Sequence, residues 1–394
     1  MRYLLGVTAN AEVYLDNNAT CPLRPRVRER MKEAIDRYHA NASSAHSAGQ
    51  NSRQAIESTR REMAKALACE PSEIIFTSSA SESNMMTLWG LWIARTNEDK
   101  ARKKIITSPL EHSSVYENLQ FLGSQFGAEI VMAPLDATGT VDSAAFKKLL
   151  GPDVAFVTMI GAHNELGIIQ PWQALAEMAH AQQIPFHVDL VQCLLRMPLN
   201  LKNSKASAVT LCFHKAGGPK GAGVLYLREG TAFEPMLRGG GQERKRRSGT
   251  ENIVAIVGAG ALLEEAGTLI EAYQAKVKNL RDQFEAGLKK IFPEVSILGD
   301  QATRLTNTTY ALFPGFRSDV LMMKLDLNQI CVSTGSACSS GMVVPSRAVM
   351  SLGYTEEQAL TGLRFSWSPE NSEADLAKVL ECLSTALTKK SWAP

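Results

Sequence analysis

No two cysteines in this sequence are spaced as CxxC, and none stands with a histidine at a metal-ligand interval. The seven present, Cys21, Cys69, Cys193, Cys212, Cys331, Cys338 and Cys382, are scattered and odd in number. That argues against a disulfide framework, leaves no metal site expected, and points to a reducing compartment. Long hydrophobic runs are missing as well. Tyr3-Leu4-Leu5-Gly6-Val7 is too short for the core of a secretory signal and nothing later approaches a membrane span, so a cytoplasmic protein with no membrane partner is expected. Neither charge sign is in excess: 42 Lys and Arg face 40 Asp and Glu, a formal +2. Direct nucleic-acid binding is therefore not expected, and any basic surface is local. There is no internal repeat and no low-complexity segment. What is present is a globular composition: 394 residues, 45% of them hydrophobic, exceed what one core ordinarily organises, so two domains are expected.

Apolar strand-like runs alternate with helical patterns. Ile74 to Thr77, Lys104 to Thr107, Ile130 to Ala133, Ala155 to Ile160 and Phe186 to Asp189 read as strands, with helices between them. Such alternation predicts an α/β domain with a mostly parallel sheet covered by helices on both faces. Chemistry in such folds gathers at the carboxyl ends of strands. His112, Asn164 with Glu165, Asp189 with Gln192, and His214-Lys215 all fall there. The stretch from Gly239 to Thr250 reads as a flexible, solvated basic loop. Amphipathic helices follow from Ile253 to Glu265 and from Ala272 to Ile291. The expected boundary lies near Gly267, with a large domain over 14–267 and a smaller one made of 1–13 and 268–394.

Lys215 sits where a strand end meets a Gly-rich turn; His214-Lys215 reads either as two solvated loop residues or as a lysine desolvated enough to offer the neutral amine that a Schiff base requires. Ser78-Ser79-Ala80-Ser81 opens a helix, either as ordinary capping or as a phosphate cradle of free backbone N–H groups. Asp189 follows the apolar Phe186-His187-Val188, and a buried carboxylate there needs a cationic partner. Lysine, phosphate cradle and buried acid together point to pyridoxal phosphate, whose ring nitrogen an aspartate pairs. His112 reads either as a capping residue or as a group over that ring. Arg364, in an apolar run, serves either a structural ion pair or a substrate carboxylate. Cys338, at the centre of Thr334-Gly335-Ser336-Ala337-Cys338-Ser339-Ser340-Gly341, has the access a nucleophilic thiolate needs.

Taken in order, Tyr14-Leu15-Asp16-Asn17-Asn18-Ala19-Thr20, Glu111-His112, Asn164-Glu165-Leu166-Gly167, His187-Val188-Asp189, His214-Lys215, Arg247-Ser248-Gly249-Thr250, Ser333 to Cys338 and Arg364-Phe365-Ser366 resemble the NifS/IscS-like cysteine desulfurases. These belong to the class V aminotransferase family, of the aspartate aminotransferase fold type. The resemblance implies a large α/β/α domain, a smaller C-terminal α/β domain and a homodimer. Lys215 would hold pyridoxal 5'-phosphate and shuttle protons. Asp189 would pair with the ring nitrogen, Gln192 with the phenolic oxygen, and His112 would stack on the ring. Ala80, Ser81 and His214 would hold the phosphate, joined by Thr250 from a second subunit, with Cys212 where a serine often donates. Asn164 and Arg364 would hold the carboxylate of substrate L-cysteine. The thiolate of Cys338 would take the substrate sulfur as a persulfide, leaving L-alanine, and pass it to an acceptor protein, a scaffold or sulfurtransferase, for iron–sulfur assembly or nucleic-acid thiolation.

This sequence departs from the family pattern at several of these points. Ser79 stands for a glycine in a tight turn, Cys212 for a serine, Phe213 for a small residue, His163 for an asparagine and Cys21 for a threonine, while Ala216-Gly217 stands at a usually aromatic position. Two other readings compete: a selenocysteine lyase or related β-lyase on the same fold, and a cofactor-free sulfur carrier or nucleic-acid-bound adaptor using Arg244 to Arg247.

Overall fold

The computed structural model describes residues 12–335 and 344–388. The described chain opens with β1 (Val13–Tyr14), α1 (Pro25–Arg37) and α2 (Ser47–Leu67). Strand and helix then alternate: β2 (Ile74–Thr77), α3 (Ala80–Glu98), β3 (Lys104–Thr107), α4 (Ser113–Phe126), β4 (Glu129–Met132), α5 (Ser143–Leu149), β5 (Val154–Ile160), α6 (Trp172–His180) and β6 (Phe186–Asp189). β7 (Ala208–Cys212) and β8 (Gly223–Leu227) complete a seven-stranded sheet in the order β2-β8-β7-β6-β5-β3-β4. From β4 to β7 neighbours run parallel, and β8 is antiparallel to both β2 and β7. β5, β7 and β8 are buried at every residue, as a sheet covered on both faces demands.

α7 (Ile253–Glu264) is apolar on all sides rather than amphipathic, because it lies between α1, α2 and the core. Gly258 permits that approach: a Cβ there would meet Met31 at 2.4 Å. The chain bends by 61° after Glu264. The next helix begins earlier than its sequence pattern suggests, α8 (Ala266–Ala272) running through a single π turn at Tyr273–Val277 into α9 (Lys278–Ile291).

A second core lies beyond the bend. β9 (Ser296–Ile297), β10 (Thr308–Leu312) and β12 (Gly362–Ser366) form an antiparallel sheet in the order β12-β10-β9, packed by α9, α10 (Ser318–Leu327) and, after the short α11 (Arg347–Ser351) and α12 (Glu356–Ala359), by α13 (Glu373–Ala386). β11 (Ile330–Cys331) pairs in parallel with β1, and Val13 and Leu15 pack in this core with Phe284, Phe365 and Trp367. The described chain thus begins on the smaller unit, through Leu15 rather than only to residue 13, and crosses to the other at Asp16–Asn18; residues 1–11 of the expected small-domain segment lie outside the described residues.

Among the described residues no single helix is long and apolar enough to cross a membrane, and no His, Cys, Asp and Glu cluster has metal-site geometry.

Candidate active site

β2, β5, β6 and β7 end around a cavity of about 270 Å³, lined by Ala19, Ser79, Ala80, Ser81, His112, Ser114, Ile160, Ala162, Asn164, Asp189, Val191, Gln192, His214 and Lys215. Asp189 closes β6 and is 5% exposed. Its partners within the chain are neutral: Asn84 Nδ2 donates to Oδ2 at 2.9 Å and the Val191 N–H to Oδ1 at 3.0 Å. Asn84 lies one turn along α3 from Ser81, and its Nδ2 also reaches Ser114 Oγ at 2.9 Å. Such buried amide bonds keep a carboxylate aimed without neutralising it.

His112 does both things its sequence position allowed. It is the N-cap of α4, its Nδ1 accepting from the Ser114 N–H at 3.1 Å, and it lines the cavity. Because Nδ1 accepts, the neutral ring carries its proton on Nε2. Burial first, then the Lys215 and Arg347 charges, hold its pKa below the ordinary value against the pull of Asp189. His214 is pushed down to about 4 by burial and by Lys215, Lys220 and Arg196.

Lys215 sits in a 3₁₀ turn, His214–Ala216. Burial lowers its pKa, with Arg364 and Arg196 adding to the effect and Cys212 and Asp189 opposing it. Its backbone carbonyl accepts from Arg196 Nη2 at 2.8 Å and from Cys21 Sγ at 3.1 Å. The segment after β1 touches nearly every member of the site: Asp16 pairs with Arg364, Thr20 Oγ1 meets His214 Nδ1 at 3.2 Å, and the Asn18 carbonyl accepts from Gln192 Nε2 at 3.0 Å.

Arg364, in β12, is 3% exposed; Nη1 donates to the Asn164 carbonyl at 3.2 Å, while its buried Nε has no partner among the described residues. It does not line the cavity itself but borders it through Asn164. Ala80 and Ser81 occupy the first turn of α3, where N–H groups have no helical carbonyl to reach. Ser79 needs no glycine, for its backbone is extended (φ −168°, ψ 165°) and its Oγ caps α3 through the Glu82 N–H. The close approach falls instead on Gly223, where a Cβ would stand 2.6 Å from Ser79.

Two expected cofactor residues lie off the cavity. Cys212 is fully buried in β7, its sulfur meets the backbone N–H of Lys215, and burial pushes its thiol up to about 11. Thr250 is exposed and elsewhere on the chain. Cys338 lies outside the described residues. Nor is the stretch from Gly239 to Thr250 uniformly solvated: Glu243 is buried in a bidentate pair with Arg60 at 2.7 and 2.8 Å, and Arg247 pairs with Glu82 at 2.7 Å. Sequence reasoning missed Asn84, Ser114 and Arg196. Each lies two to four positions beyond a residue it singled out, on a helix or turn whose inward face the spacing alone does not fix.

The class-V aminotransferase family model matches residues 13–379. Over 378 residues the chain is 37% identical to a protein named cysteine desulfurase IscS from Dictyoglomus turgidum, covering 96% of this chain and 95% of the relative. A solved structure described as a NifS-like protein superposes with a TM-score of 0.88 at 32% identity, over 96% of this chain and 100% of that one. Another, described as SspA in complex with cysteine, gives a TM-score of 0.79 at 30% identity, over 92% and 100% of the two chains.

Proposed function

This chain belongs to the class-V aminotransferase family, and from that premise we propose that its cavity is the active centre of a pyridoxal phosphate-dependent cysteine desulfurase. The enzyme converts L-cysteine to L-alanine and carries the sulfur onward as a persulfide. The observation that carries the assignment of roles is Lys215, a lysine of depressed pKa opening into the same cavity as a buried, amide-anchored Asp189.

The residues present fit the cofactor. Asp189 leaves carboxylate charge for a ring nitrogen, the start of α3 offers N–H groups to a phosphate, and the orphaned Nε of Arg364 offers a donor to a substrate carboxylate. When bound, pyridoxal phosphate supplies the electron sink for charge developing at the substrate Cα. Burial favours the neutral amine of Lys215, the form that takes a proton and returns it. Neutral His112 offers a proton from Nε2. Asn164 and Arg364 orient the substrate, with Asp16 holding the guanidinium in place. The thiolate of Cys338 attacks the substrate sulfur; the S–S bond forms as the C–S bond breaks, the electron pair of that bond stays with carbon, and carbon takes up a proton to become the methyl group of alanine.

We assign Thr250, exposed and off its own cavity, to the phosphate of a second subunit in a homodimer. The sulfur acceptor is a protein of iron–sulfur assembly or of thiolation, a reading supported by the IscS name of the relative. The test is the visible spectrum of purified protein before and after L-cysteine, with alanine measured in the same sample. A band that shifts as alanine appears is expected. A protein that stays colourless with added pyridoxal phosphate would overturn the assignment.

A further inference from the structure

Arg196 is 2% exposed, yet no carboxylate among the described residues comes within ion-pair reach of it. Its guanidinium instead donates to neutral oxygens: Asn18 Oδ1 at 2.7 Å, the Asn17 carbonyl at 3.0 Å, the Lys215 carbonyl at 2.8 Å and the side-chain oxygen of Gln192. A buried charge whose partners are dipoles and the face of one aromatic ring, that of Tyr273 at 5.8 Å, is costly. The backbone bears a second cost, since Leu195, buried and immediately before it, is held at φ +57°.

An arginine has donors only. The Gln192 oxygen must therefore face Arg196, and one Gln192 N–H reaches the Asn18 carbonyl. What remains for the cavity is the other N–H. We propose that Arg196 is a positioning residue that fixes the amide of Gln192 with its donor toward the cavity, and fixes the backbone of Lys215, so that this wall favours an ionised oxygen on the ligand. The inference rests on the cofactor reading above, in which that oxygen is the ring's phenolic one. The same guanidinium continues through Asn18, whose Nδ2 donates to the Asn164 carbonyl at 2.9 Å and to Thr308 Oγ1 at 2.9 Å. One buried cation thus joins the lysine, the ring wall and the substrate end of the site. The other charged or titratable groups facing this region are Asp189, His112, His214, Lys215, Cys212 and Arg364, with Cys21, Cys193 and Tyr273 around Arg196 and Arg24 and Glu370 beyond them.

The test uses purified holoenzyme without substrate and reads the pH at which its visible band titrates. Arg196→Met frees the amide to turn and removes the charge. Gln192→Glu gives Arg196 a carboxylate, at the loss of the bond to the Asn18 carbonyl, and presents acceptors to the ring; its fold is checked by circular dichroism. Both are expected to raise the titration pH by about one unit, to weaken cofactor retention on dialysis, and to lower kcat more than they raise KM. Titration at the wild-type pH in Gln192→Glu, or in a folded Arg196→Met, overturns the proposal. Absence of any band in the wild-type protein would instead defeat the cofactor reading itself.

Discussion

Arg60 and Arg196 are both buried guanidinium groups, and the molecule treats them in opposite ways. Arg60 has a full counter-charge: Glu243 meets it bidentately, accepts from the Phe76 N–H at 2.8 Å as well, and Glu57 adds a bond at 3.0 Å. Arg196 has, among the described residues, amides, carbonyls and the face of the Tyr273 ring, but no carboxylate. The first arrangement is closed, and its work is to hold a turn in which Glu243, Arg244 and Lys245 all take left-handed backbone, at φ 46°, 56° and 65°. The second lacks a counter-charge, and its work is to aim the Gln192 amide and the Lys215 backbone at the cavity beside it. One buried cation holds a turn; the other holds the wall of a site.

The largest effect separating the two regions is on turnover. Lys215→Ala should lower kcat by at least about 10³-fold while leaving urea unfolding near wild type, because it removes a buried amine and no tertiary bond from its side chain. Loss of fold instead would make Lys215 part of the architecture and break the contrast. Glu243→Ala should do the reverse, destabilising by about 3–5 kcal/mol in urea unfolding by stranding Arg60; an unchanged midpoint would mean the pair is not closed at all. A third, pH-linked effect belongs to the core beside the cavity. His187, between Thr158 and Thr210, is pushed by burial from 6.5 down to about 4. A depressed histidine contributes stability present above its unfolded pKa and lost as pH falls toward the folded value. Between pH 6.5 and 4 this amounts to up to about 3 kcal/mol, and His187→Asn should flatten that limb of a Tm–pH curve. The smallest effect is at the strained turn. Lys245→Gly should raise stability by about 1 kcal/mol, seen as a modest rise in Tm; a drop would show that the exposed lysine side chain contributes more than its backbone costs.

Much of this was legible in the sequence, for identifiable reasons. Strand ends announce themselves, because a fully buried parallel strand is an unbroken apolar run and the polar residue after it has nowhere to go but the sheet's edge. Asp189, His112 and Lys215 were found that way. Ser79 shows the limit: the loss of a glycine looked costly, but whether a position needs one depends on φ, and this φ is extended. Cys212 shows another. Its place in the order of motifs said nothing about which way the end of β7 turns its side chain, and it turns away from the cavity. Glu243 and Arg196 were illegible because a charge is assumed to be solvated until its partner, 183 residues away for Arg60 and Glu243, is known to meet it.

The stretch from Asp16 to Cys21 has a bearing on time as well as on space. Its partners include Arg364 and Ser366, separated from it by nearly 350 positions. A chain emerging from the ribosome holds its first site residues for almost the whole of its synthesis before their counterparts exist. Contacts of such separation form late. The reactive centre is therefore assembled as one of the last acts of folding, and an unfinished chain has its lysine but no means of orienting a substrate against it.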